Sequence, residues 1–203
     1  MANNDKLKRV EKFFKEIIKG WTIGDLKRSI SAKTNFLTAL GCLVYTEVIG
    51  TFLPKIKSEY GKNGQKRFYR CLFRLKSSKD LEKLDKLLLK ETNKGVYQQI
   101  RNNMAHIYFP AVKKVKDGVI QFIPTTIAKD GLTVTTVGSD KIKTKSAPIL
   151  LYEGRIFLAT RNYVSELEKA YYIFYKKIFV NKDEEWIKSA ENGIDIIQRG
   201  KVK

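Results

Sequence analysis

From Leu7 to Met104 the apolar residues recur at steps of three and four, in five successive segments. That period lines them along one face of an α-helix and commits the first half of the chain to packed helices. The first stripe, residues 5–19, holds Leu7, Val10, Phe13, Phe14, Ile17 and Ile18, with lysines behind it and Gly20 as its stop. A second helix is predicted from Gly24-Asp25 toward Leu53, with Ile30, Leu37, Leu40, Val44 and Val48 inward and Pro54 ending it. "SEYGKNG" is a loop by composition. A third helix is predicted over about 64–76 (Phe68, Leu72 and Leu75 inward). A fourth covers about 79–91 (Leu81, Leu84, Leu87 and Leu88 inward). The fifth starts near Lys94, carries Val96, Ile100 and Met104, and must stop at Pro110, because the residue before a proline resists helical geometry.

After Pro110 the pattern changes. "GVIQFIPTTIAKDGLTVTTVGSD" and "APILLYEGRIFLAT" alternate β-branched and aromatic residues between Asp-Gly, Gly-Ser-Asp and Glu-Gly turn signals. Three to five short strands are predicted, with "LLYEGRIFL" the strongest hairpin. Helical spacing returns at 161–179 through Val164, Leu167, Ala170, Tyr171, Phe174 and Ile178, and a short polar helix at about 183–198 follows. The chain of 203 residues therefore reads as mainly α. A helical bundle core spans 1–110, a β-rich insertion 111–160, and C-terminal helices over 161–203 complete a single domain.

With 43% hydrophobic residues the chain can build a core, which argues against disorder. Cys42 and Cys71 are far apart, without metal-ligand spacing and among apolar neighbours, so buried free thiols in a reducing cytoplasm are expected. The charged start, "MANNDKLKRVEKFF", lacks the apolar run of a secretory signal. "FLTALGCLVYTEVIGTFL" (36–53) has nearly the length of a membrane span. It carries Glu47, though, and a carboxylate at membrane depth is costly, so a core helix and no membrane partner are expected. Net charge is +19, from 40 Lys and Arg against 21 Asp and Glu. Such a field attracts phosphate polyanions, and nucleic acid is the commonest of these. Nucleic acid is favoured here, with solvated lysine-rich faces as the alternative.

The single histidine, His106, lies in "YQQIRNNMAHIYFP". On a regular α-helix Asn102 and His106 share a face, while Arg101 and His106 stand about 140° apart. The two converge only if the helix loosens before Pro110 or a second subunit completes the site. Spacing alone favours reading His106 as a C-terminal helix residue whose ring meets the last carbonyls.

Arg101-Asn102-Asn103-Met104-Ala105-His106, with Tyr108 two residues on, resembles the R-N-x3-H-x-Y signature of the HEPN superfamily. In that family the motif sits on a late helix of a four- or five-helix bundle. The resemblance covers 1–110 and extends to the helix at 161–179; the β-rich segment lies outside the family's minimal fold. It implies a HEPN-like up-and-down bundle and a metal-independent endoribonuclease, with no cofactor and RNA as substrate. Arg101 would stabilise the phosphorane, His106 would transfer the proton, and Asn102 would orient the imidazole or the phosphate. It also implies a homodimer with two motifs facing across a cleft, a role as toxin or anti-phage defence effector, and an antitoxin or nucleotidyltransferase partner. Tyr108 is then a cleft residue open to covalent modification. Some family members have lost catalysis and act as RNA-binding or regulatory scaffolds. A basic DNA-binding protein using the β-rich segment is a third reading.

Further residues carry double readings. Tyr97, Tyr108 and Phe109 can stack on bases or pack. "VKKVK" (Lys113, Lys114 and Lys116) and "KIKTK" (141–145) can line an RNA groove or form wet strand edges. Gln65, Lys66, Arg67 and Arg70 can touch RNA or form the wet face of a core helix. The Tyr171–Tyr175 cluster is expected in the core or at a dimer contact.

Overall fold

A computed structural model describes residues 2–102, 111–116, 119–127, 148–152 and 155–198. It is mainly helical. The first helix does not stop at Gly20. It runs as α1 (Ala2–Phe13), a π-helical stretch π1 (Phe14–Ile23) and α2 (Gly24–Ser31), with Phe13 and Gly24 both keeping right-handed helical backbone at the joins. The wider i→i+5 winding of π1 keeps residues four apart nearly in line. Phe14, Ile18 and Thr22 are accordingly buried together with Ile23. A helical glycine costs only about 1 kcal/mol, less than the roughly 1.5–3 kcal/mol that burying one large apolar side chain returns.

The break comes instead at 32–34, inside the predicted second helix. Lys33 takes φ 56°, the Thr34 amide donates to the Ser29 carbonyl (3.1 Å), and the Lys33 amide donates to Ile30 (3.0 Å). This is the Schellman closure of a helix end, here with lysine where glycine is usual. Without a glycine to mark it, the turn left no trace in the sequence. Helix α3 (Asn35–Gly50) restarts with its inward face shifted: Ala39, Cys42, Leu43, Thr46 and Ile49 are buried, while Leu37 is exposed. α3 is apolar nearly all round, so spacing alone does not fix which side turns inward. At Gly50 a Cβ would overlap the Arg67 carbonyl, so this glycine permits the close crossing of α3 and α4 (Asn63–Leu72).

α5 (Ser78–Thr92) ends at Asn93, in left-handed backbone, and is followed by π2 (Tyr97–Asn102). Glu166 accepts hydrogen bonds from the Ser77 amide (3.1 Å) and hydroxyl (2.7 Å), tying the start of α5 to α6 (Thr160–Tyr175). α6 continues into π3 (Lys176–Val180), and α7 (Glu184–Gln198) follows. α6 runs opposite to the first helix. Lys27 pairs with Glu168 (2.5 Å), Phe14 stacks on Tyr171 (6.5 Å) and the Tyr175 hydroxyl donates to Glu11 (2.6 Å). The Tyr163 and Thr46 hydroxyls meet at 3.0 Å in the interior. Within the tyrosine cluster, Tyr171 and Phe174 are buried, while Tyr172 and Ile173 are exposed.

Among the described residues four strands lie between these helical parts: β1 (Ala111–Lys116), β2 (Val119–Ile127), β3 (Ile149–Tyr152) and β4 (Arg155–Leu158). They form one sheet in the order β1-β2-β4-β3. β1 and β2 pair antiparallel through Lys116↔Val119, β2 and β4 pair parallel, and β3 and β4 form the predicted hairpin through Tyr152↔Arg155. The "KIKTK" segment lies outside the described residues. Cys42 and Cys71 are both free and buried, and burial pushes the Cys71 thiol up to about 12 and Cys42 further. No helix among the described residues is long and apolar enough to cross a membrane.

Candidate active site

The helix carrying Arg101 is anchored before it begins. Asp85, buried in α5, accepts the Val96 amide (2.8 Å) and the Tyr69 hydroxyl (2.7 Å) on Oδ1, and the Tyr60 hydroxyl (2.8 Å) on Oδ2. The two phenol oxygens are 2.6 Å apart. Burial first, and the Asp85 carboxylate beside them, hold both phenols protonated well above their usual range. Gly95 lies directly over this cluster, and a Cβ there would overlap the Tyr60 and Tyr69 hydroxyls and Asp85. A carboxylate thus satisfies a free amide at a helix start, and the packing leaves room for glycine alone.

One turn on, the Arg101 Nη2 meets Glu47 Oε2 at 2.7 Å, across the gap between π2 and α3. Arg101 Nη1 donates to Asn102 Oδ1 (3.3 Å), its guanidinium lies over the Tyr97 ring (5.4 Å), and its enclosed Nε has no hydrogen-bond partner among the described residues. Glu47 also holds Arg67 Nη2 on Oε1 (3.3 Å) and accepts the Tyr97 hydroxyl on Oε2 (3.4 Å). Burial, then Glu47, raises the Tyr97 pKa. The Arg101, Glu47 and Arg67 side chains are only 20%, 14% and 14% exposed, so the low surrounding dielectric strengthens their attraction. Gly64 makes the space: a Cβ there would stand 2.7 Å from Glu47 Oε1 and 2.8 Å from the Tyr97 hydroxyl.

Of the residues singled out by sequence, Arg101 and Arg67 therefore come together around Glu47, and Asn102 meets Arg101 alone. Arg67 and Arg70 are not on a wet face. Arg70 gives Nε (2.5 Å) and Nη2 (3.0 Å) to the two oxygens of Glu59, and its side chain is 16% exposed. The helix face expected to be solvated is covered because each guanidinium found a carboxylate from a neighbouring segment. His106 and Tyr108 lie outside the described residues. Lys113, Lys114 and Lys116 lie on β1, at one edge of the sheet, opposite Phe122, Gln121 and Val119. Glu47 and Tyr97 were not foreseen as partners of Arg101, although a lone carboxylate in an apolar helix is itself a signal that a cation awaits it. Among the described residues no group of three His, Cys, Asp or Glu is placed to hold a metal ion. No known protein family, curated protein or solved structure matches this chain.

Proposed function

We propose that this chain is a metal-independent endoribonuclease of HEPN type that cleaves RNA by attack of the 2′-hydroxyl on the adjacent phosphate. The observation that carries the reading is the Arg101 guanidinium. It is the first residue of the R-N-x3-H sequence, and Glu47 and Asn102 hold it in one orientation. A planar donor oriented in advance stabilises charge that develops in a transition state without reorganising at the moment of reaction. In this reading His106 takes the 2′-hydroxyl proton or protonates the leaving 5′-oxygen, as an imidazole titrating near neutrality can. The products are a 2′,3′-cyclic phosphate and a 5′-hydroxyl. A homodimer brings two such motifs to one cleft. The biological role is that of a toxin or anti-phage defence effector, with an antitoxin or a nucleotidyltransferase as partner, in the cytoplasm.

A second reading, a non-catalytic RNA-binding or regulatory scaffold, draws on the same contact: an arginine this well paired also serves structure. Purified protein with single-stranded RNA in EDTA separates the two. The enzyme reading expects cleavage that falls roughly 10²–10⁴-fold in His106→Ala while folding and RNA binding persist. A folded His106→Ala protein cutting as fast as the parent leaves the scaffold reading in place.

A further inference from the structure

On α5, Lys79, Lys83, Lys86 and Lys90 recur at steps of four, three and four, and all four are exposed; Lys76, just before the helix, is exposed as well. Helical geometry puts them on one line, with successive side chains about 5 Å apart along the axis. The opposite face of α5 is buried through Leu81, Leu84, Asp85 and Leu88. The helix's other acids, Asp80, Glu82 and Glu91, are turned from the lysine line by about 70–110°. None of the five lysines forms an ion pair among the described residues, whereas on the first helix Arg9, Lys15, Lys27 and Arg28 each have a carboxylate. The ridge is thus a row of positive charge on a rigid element, flanked by Asp80 and Glu82 but closed into no ion pair among the described residues.

We infer that this α5 ridge is the track that binds the phosphate backbone of single-stranded RNA and feeds it toward Arg101. The inference rests on the reading of RNA as substrate and extends it to a named surface. Three observations favour this occupant. The charges are of one sign and evenly spaced, as a repeating polyanion requires. The chain runs on from the ridge's C-terminal end through Gly95 and Val96 into π2 with Arg101, and β1 touches both α5 and π2. Edge strand β1, which carries Lys113, Lys114 and Lys116, packs against α5. A membrane surface fits less well, because Leu81, Leu84 and Leu88 of α5 are spent in the core and the exposed Leu87 is too little apolar surface to insert. A folded protein partner fits less well too, because the lysine line carries no aromatic anchor.

The test uses the full chain and a short 2′-O-methyl RNA, which lacks the nucleophile, so binding is read without cleavage. The variant K79Q/K83Q/K86Q/K90Q keeps helix propensity and removes four charges; K6Q/K8Q/K12Q/K19Q removes four from the first helix. At about 0.1 M salt the ridge variant is expected to bind roughly 10²–10³-fold more weakly. Its log–log salt slope should be shallower by up to about 3, since each phosphate contact contributes about 0.7. The first-helix variant should lose far less. Equal losses in both variants mean that the general field binds RNA and overturn the ridge. So does unchanged binding by the ridge variant, or capture of the parent by phosphatidylserine vesicles in preference to the RNA. Cleavage of ordinary RNA is assayed separately. A parent that cuts RNA while the ridge variant binds normally sinks only the track. A parent that never cuts, yet loses binding in the ridge variant, sinks only the ribonuclease.

Discussion

Arg101 of π2 and Glu47 of α3 meet at 2.7 Å, and the same carboxylate holds Arg67 of α4 at 3.3 Å, so one side chain joins three helices around the motif arginine. Replacing Glu47 by Gln keeps the shape and removes the charge both guanidinium groups face. The loss of a hydrogen-bonded charge partner costs roughly 1.5–3 kcal/mol. Urea denaturation should show a lower midpoint with an unchanged slope. A midpoint equal to the parent's removes the pair from the stability of the fold.

Asp85 sets where π2 begins. Asp85→Ala leaves the buried Val96 amide without its acceptor and removes the carboxylate that the Tyr69 and Tyr60 hydroxyls share, the lost acceptor at Val96 alone costing about 1–3 kcal/mol. Hydrogen exchange should quicken at Val96 and along π2 before it does so in the core of α3. Uniform acceleration across the chain would show that Asp85 supports the whole fold and not this segment.

Glu59 offers a pH test. Burial alone would raise its pKa, but hydrogen bonds from Arg70 and the Ile56 amide outweigh burial and leave it below the ordinary value. A depressed folded pKa contributes stability that is present above the unfolded value, about 4.3, and disappears as pH falls through the folded value. Thermal denaturation from pH 7 downward should show the parent losing an acid-dependent share of stability that Glu59→Gln lacks at every pH. Parallel curves for the two proteins would contradict the shift.

In the proposed ribonuclease reading, a symmetric dimer with its axis near π2 would bring a second motif to complete the splayed Arg101–His106 pair. Light scattering at micromolar concentration should give twice the chain mass of 23.4 kDa. A monomer that cleaves RNA would exclude a composite site.

Much of the helical layout was legible because it follows from local period. The stripes around Phe68 and Leu72, Leu81 to Leu88, and Val164 to Ile178 each fall on observed helices with the expected residues buried, except Leu87, which is 37% exposed because the buried Asp85 shifts the inward face of α5 away from it. The Tyr152–Arg155 hairpin was equally visible, since a Glu-Gly turn between apolar runs is a local signal. The break at Lys33 and the passage of the first helix through Gly20 were not. A lysine in left-handed backbone and a glycine in a π-turn both run against propensity, and only packing compensates for them.

By itself, then, the sequence determined the mainly helical class and the place of the strands, because periodicity and turn residues are written along the chain. Tertiary structure alone decided that Glu47 faces Arg101 fifty-four positions away, that Arg67 and Arg70 are covered, and which side of α3 turns inward. Those outcomes depend on which helices cross and how closely. Gly50 and Gly64 permit that approach, and a carboxylate placed there must find its cation or bear the cost of burial.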